Sequence, residues 1–314
     1  MTAAATSARA QRARARTEGD GRGGARTSGV QRHAYPMWFY LPAGLLYVVF
    51  FAVPTFASFY FSLTRWTLFE TEFIGWENYV RFFQEPHLFQ GFVNTFVFGV
   101  TTSASKVVLG LALAVLLTSQ ILARGYLRSV VFFPVLVSTI GVGVMFNALL
   151  DPFDGVVNSV LGAFGIDGPG WFTDPSIALL SVAAVDVWRG LGIATLIYIA
   201  GLVAIPQEYY EAARVDGAGR WQQFRSITLP LVMPATGTVI ILSLIDGLRS
   251  FDLIWATTGG GPGFASDVIA SVIYKQYQAG FYGLSTAGNV ILFVVVTAVM
   301  VPLTILINRR TAER

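Results

Sequence analysis

The run WFYLPAGLLYVVFFAVPTFASFYFSL, from Trp38 to Leu63, carries no charge over about 26 residues. An α-helix needs ~20 apolar residues to cross ~30 Å of hydrocarbon, so this run is long enough to span a bilayer. A secretory signal would follow its basic region with a shorter apolar run and a small-residue cleavage site. The length here suits a retained span.

N-terminal to it, residues 1–34 hold seven Arg and almost no large apolar side chain. Such a segment buries too little surface to offset its ordering entropy, and a disordered basic cytoplasmic tail is expected. C-terminal to it come five further apolar stretches: Phe92–Ser119, Val130–Leu150, Ile177–Ala204, Pro230–Leu248 and Ser285–Ile307. None alternates with period two, which argues against a β-barrel. The expected fold is all-α and polytopic, with six transmembrane helices over 38–63, 92–119, 130–150, 177–204, 230–248 and 285–307 in a membrane domain of residues 35–314.

Composition agrees. Only 12% of the 314 residues are charged and mean hydropathy is +0.61, against about 25% charged in soluble domains. With no Cys and two separated His, His33 and His87, disulfides and zinc sites are not expected. No Gly-Lys dipeptide occurs, so the chain has no phosphate-binding P-loop and no sign of being an enzyme.

An even number of spans puts both termini on one side, and basic residues choose it. With the tail inside, the inner segments hold fifteen Arg and the outer ones four basic residues. Without the tail the ratio is still eight to four. Both termini are therefore expected in the cytoplasm, with 205–229 as the longest inner loop.

That loop reads PQEYYEAARVDGAGRWQQFRSITLP, Pro206 to Pro230. Pro206 suits a helix start, and Glu208 and Glu211 suit the positive end of its dipole. Tyr209, Ala212, Ala213 and Val215 form a small apolar stripe. Gly217 permits a sharp turn through positive φ. A second short helix, 218–224, is expected to follow, and Pro230 to open the next span. Two short helices joined at a glycine suit either docking into a partner's groove or packing on the chain's own lipid headgroups.

Glu211-Ala212-Ala213, three residues, Gly217, nine residues and Ile227-Thr-Leu229-Pro230 resemble the EAA signature of permease subunits of binding-protein-dependent ABC importers. Its seven fixed positions match by chance at about 10⁻⁸ per start site. The stretch Phe73-Ile-Gly-Trp-Glu-Asn-Tyr79, the pair Asn94-Thr95 and Asp252-Leu-Ile-Trp-Ala-Thr-Thr-Gly-Gly-Gly-Pro262 are similar to the carbohydrate branch, of the maltose and glycerol-3-phosphate larger-subunit type. The resemblance begins near Pro36. It implies a MetI-like permease fold in a bacterial plasma (inner) membrane and a role in moving a sugar or sugar-like solute by alternating access. The implied partners are a second permease subunit, an ATPase dimer, an extracytoplasmic solute-binding protein and membrane lipid, with no nucleic acid. ATP and Mg belong to the ATPase, and no cofactor or metal to this chain. The resemblance also implies that Glu211, Ala212, Ala213, Asp216, Gly217, Ile227, Leu229 and Pro230 form the coupling loop docked on the ATPase.

Lys106, Asp186, Arg189 and Asp246 lie in or near the hydrocarbon, with Arg249 at the outer end of the fifth span. Each central charge costs about 2.5–3.5 kcal/mol to insert, so such groups face a cavity or a partner. Asp186 and Arg189, and Asp246 and Arg249, are spaced i,i+3 and share a helix face. Two readings stand: ion pairs that neutralise each other or pair with a partner subunit, or a polar patch along a solute path. Carboxylates and guanidinium groups suit sugar hydroxyls, and Gly190 and Gly192 offer close approach. Carried over by position, the larger-subunit sugar site implies Asp186, Gly190, Ile193 and the Gly247–Ser250 stretch. Lys106 is open to snorkelling, pairing with an acid of another helix, or solute contact. Asn147 and Asn289 suit helix–helix hydrogen bonds. Arg189 and Arg249 suit an acidic solute, and the neighbouring acids suit a neutral oligosaccharide equally. An ion- or proton-coupled secondary transporter using these acids as a relay is the alternative function; a scaffold with no transport leaves the membrane charges unexplained.

Overall fold

The structure is a computed structural model describing residues 37–312, so the expected tail lies outside the described residues. The chain divides into two compact units at Val53–Pro54. Helix α1 (Trp38–Phe61) is apolar throughout. In the smaller unit its side chains are almost all exposed; Phe50, for example, is 75% exposed.

The larger unit begins with an antiparallel hairpin, β1 (Thr64–Trp66) and β2 (Thr71–Phe73), registered Arg65 to Glu72. This small element is the one departure from an all-α chain among the described residues. Helix α2 (Glu77–Gln84) leads into α3 (Pro86–Thr118), 33 residues long. The sequence places the start of that span at Phe92. Pro86 starts the helix earlier because its missing N–H costs nothing in a first turn.

The third expected span is broken. Helix α4 (Arg124–Leu136) and α5 (Thr139–Leu149) meet at 102°. Pro134 removes a helical donor, and Ser138 is extended with ψ 134°. A short α6 (Val156–Ala163) follows, then α7 (Ala178–Val203), within a residue of expectation at both ends.

Beyond α7 lie α8 (Gln207–Val215), α9 (Arg220–Leu231) and α10 (Met233–Leu248), the last two bent by 63°. Pro230 therefore does not open the fifth span. It sits in the final turn of α9, and Pro234 occupies the first turn of α10. Helices α11 (Asp252–Thr257), α12 (Ile269–Gln278) and α13 (Tyr282–Ala312) complete the chain.

Helix α3 is the central post, packing on α7 and α10. Small residues set the distances, as membrane helix pairs require. A Cβ on Gly110 would lie 3.0 Å from Ala194 Cβ, and one on Gly247 2.8 Å from Gly99 Cα. Phe98, Val182 and Ile254 anchor one buried cluster, and Ala114, Tyr198 and Val239 a second. Near its N-terminal end α3 clamps the loop after the glycine run. Asn94 Nδ2 donates to the carbonyls of Ala265 and Asp267, each at 2.8 Å, and Thr95 Oγ1 accepts from Ile269 N–H at 2.9 Å.

Candidate transport site and coupling loop

Three helices bring four charges together. Lys106 on α3 places its Nζ 2.7 Å from Asp186 Oδ2 on α7 and donates to Asp246 Oδ2 on α10 at 2.9 Å. Arg189 stands 3.7 Å from Asp186 and 3.9 Å from Asp246. The cluster is electrically balanced, and its exposure is graded. The side chains of Lys106 and Asp186 are 3% and 4% exposed, while Asp246 is 49% exposed. A buried carboxylate without its counter-ion would bear an uncompensated desolvation cost; Lys106 offsets that cost for Asp186 and also pairs with the half-exposed Asp246.

Two hollows meet at this cluster. One of about 450 Å³ is lined by Asp186, Arg189, Asp246, Arg249 and Ser250. The other, about 260 Å³, is lined by Lys106, Arg189, Gly190, Ile193 and Asp246. Asp186, Arg189, Gly190, Ile193, Asp246, Arg249 and Ser250 thus line one or other of two adjoining hollows, while Gly247 and Leu248 are buried against α3. A larger hollow of about 700 Å³ is walled by Val107, Leu111, Phe224 and Met233 and has no charged lining.

Two details differ from the spacing-based expectation, at Arg249 and at Asn289. The i,i+3 pair Asp186–Arg189 forms, whereas Asp246–Arg249 does not among the described residues. Arg249 is the cap residue beyond the last turn of α10, with φ −104° and ψ 8°, and its side chain is exposed. Gly190 lines the smaller hollow, and both glycines also pack closely on protein: a Cβ on Gly190 would lie 2.6 Å from Lys106 Cε, and one on Gly192 2.8 Å from Val131 O. Lys106 is the hub. Its signal was a lone lysine in mid-span with acids on two other spans. Asn147 does bridge helices, donating to Ala256 O at 2.8 Å, but Asn289 bonds within α13 to Ser285 O at 3.4 Å.

The loop from Pro206 to Pro230 forms as two helices about a glycine. Gly217 has φ +80°, and Ala218 N–H closes the end of α8 on Ala213 O at 2.8 Å. A Cβ on Gly217 would meet nothing within 4 Å outside its own local backbone, so the backbone angle alone calls for glycine there. Tyr210 and Thr228 share a hydrogen bond of 3.0 Å between α8 and α9. Glu211, Ala212, Asp216 and Leu229 are exposed; Ala213, Ile227 and Pro230 are half-buried. From Met233, α10 runs about 20 Å to Asp246 at helical rise, so the elbow connects to the charge cluster through α9, the 63° bend and α10.

Residues 34–312 match the family of binding-protein-dependent transport system inner membrane components. The chain is 35% identical over 258 residues to the trehalose/maltose transport system permease protein MalF of Thermococcus litoralis, covering 82% of this chain and 88% of that one. It is 30% identical to the multiple sugar-binding transport system permease protein MsmF of Streptococcus mutans, covering 82% and 89%. A bacterial ABC transporter involved in import of the acidic polysaccharide alginate superposes with a TM-score of 0.77 at 24% identity, covering 87% and 94%, a likeness of fold. The chain belongs to the binding-protein-dependent transport system inner membrane components, the permease subunits of ABC importers.

Proposed function

We propose that this chain is one of two permease subunits of an ATP-driven importer in a bacterial plasma membrane, moving a sugar or sugar-like solute inward by alternating access. In this reading the six spans are α1, α3, the bent pair α4–α5, α7, the bent pair α9–α10 and α13, with both termini cytoplasmic. A solute-binding protein delivers to the outer loops. A separate ATPase dimer, holding ATP and Mg, receives the α8–Gly217–α9 elbow. The cleft around Asp186, Arg189, Asp246, Arg249 and Ser250 lies on the solute path.

One observation carries this reading: an exposed elbow bearing the Glu-Ala-Ala and Gly217 pattern continues through α9 and α10 to the buried charge cluster. A displacement of the elbow by a closing ATPase is thereby delivered to Asp246. In liposomes holding the assembled importer, Glu211→Lys and Gly217→Pro are expected to abolish solute-stimulated ATP hydrolysis and uptake while the chain still inserts. Normal transport in both variants sinks the proposal. Uptake that follows a proton gradient without an ATPase points instead to ion coupling.

A further inference from the structure

A second lined cleft, of about 300 Å³, lies apart from the charge cluster, between α4, α7 and the last turns of α3. Its walls are Leu117, Phe132, Gly192, Leu196 and Ile199, and Arg128 stands among them. At one end, α4 touches α7 closely, since a Cβ on Gly192 would lie 3.0 Å from Phe132 Cα. The cleft then follows α7 from Gly192 to Ile199, about 10 Å of helix. Val130 and Leu196 beside it are exposed, at 49% and 54%, so the cleft opens sideways at the surface of the chain between apolar side chains.

Arg128 is only partly satisfied. Its Nη2 donates to Leu117 O at 2.9 Å, and its Nε is buried without an acceptor. No acid pairs with it among the described residues. Arg124, one turn earlier on α4, is exposed and adds a second positive charge on the same face. Unmet guanidinium donors call for an acceptor, and a fork of parallel N–H groups matches a phosphate. Anionic headgroups are bound by basic pockets between spans on the cytoplasmic side.

We propose that this cleft binds an anionic phospholipid of the inner leaflet, with its phosphate on Arg128 and part of one acyl chain along Phe132, Leu196 and Ile199. The inward placement rests on the topology proposed above; the binding chemistry does not.

The test is native mass spectrometry of the full chain in its detergent-solubilised complex. It is titrated with phosphatidylglycerol, phosphatidylcholine of the same acyl chains, and glycerol phosphate. Phosphatidylglycerol is expected to be retained about fivefold better than phosphatidylcholine, the worth of one basic side chain at a lipid surface. Arg128→Gln erases that preference and Arg128→Lys keeps most of it. Leu196→Trp fills the cleft and lowers retention with the charge intact, which covers the case of Arg128→Gln failing to fold. Equal retention of the two lipids by the unaltered chain overturns the proposal. So does retention of glycerol phosphate as strong as that of the lipid, which marks a free-phosphate site, or full lipid retention by Leu196→Trp. None of these readings depends on uptake, so a failed transport assay leaves the lipid result interpretable.

Discussion

Gly190 lies directly beneath Lys106: a Cβ built on Gly190 would stand 2.6 Å from Lys106 Cε and 2.9 Å from its Nζ. The glycine is what allows the lysine of α3 to cross the face of α7 and reach Asp186 at 2.7 Å and Asp246 at 2.9 Å. Gly190→Ala therefore displaces a flexible ammonium from two carboxylates while leaving the backbone untouched. A loss of about 1–3 kcal/mol is expected, in the range for overpacking a tight site. In a Lys106→Ala background the same change should cost almost nothing. A thermal-unfolding double-mutant cycle in detergent reads the coupling, and additive effects refute it.

Removing Lys106 should be the most damaging single change in the cluster. Lys106→Met leaves Asp186, 4% exposed, with only the more distant Arg189 as counter-ion. Breaking a buried pair costs about 3–5 kcal/mol. Asp186→Asn should cost less, because Lys106 keeps Asp246. The order of unfolding temperatures checks this, and the reverse order contradicts it.

The graded exposure gives a direct accessibility test. The chain has no cysteine, so a single introduced thiol is read without background. Asp246→Cys should react readily with a water-soluble thiol reagent and Asp186→Cys hardly at all, since the two acids are 49% and 4% exposed. Equal labelling would mean that the cleft stops elsewhere.

At Gly217, φ is +80° with open space around Cα. Gly217→Ala should fold at a cost of about 1–2 kcal/mol in backbone strain. Its effect on solute-stimulated ATP hydrolysis should be milder than that of Gly217→Pro. Circular dichroism with ATPase assays separates the two, and an Ala variant as inactive as Pro would assign the glycine a role beyond its dihedral angle.

Beyond the membrane, Asp267 is fully buried and held by Lys275 at 2.7 and 2.9 Å and by Ser271 at 2.7 Å. Burial raises its carboxyl above the usual value, and Lys275 and Ser271 oppose that rise. The folded state thus holds its proton more tightly than the unfolded chain, so this group favours folding below the ordinary carboxylate range and loses that contribution as pH climbs through the raised value. Lys275→Met should widen the window by removing the counter-ion. Its deficit relative to the unaltered chain should be largest near neutral pH and shrink on acidification. A pH series of proteolytic nicking at 258–268 measures it, and a pH-independent deficit would refute it.

Long apolar runs were legible because hydrocarbon demands length and hydropathy, both local properties. The ends of α7 illustrate this. The breaks were less legible: Pro134 and Pro234 each signal a possible kink, but only packing chooses 102° at one and 63° at the other. Seven fixed positions of the inner loop marked the family, since an elbow with positive φ at Gly217 requires a specific residue.

The sequence by itself determined the helical membrane class, the family and the two-helix elbow about Gly217. These follow from hydropathy, charge placement and one glycine, none of which needs a distant neighbour. Only the tertiary structure decided which charges meet. Lys106, Asp186 and Asp246 are 80 and 60 residues apart along the chain, and the contacts of α3 with α7 and α10 through Gly110 and Gly99 bring them within hydrogen-bonding distance. Spacing of i,i+3 described neighbours on one helix. The stronger Coulomb partner came from another helix, because burial rewards the closest opposite charge wherever the fold delivers it.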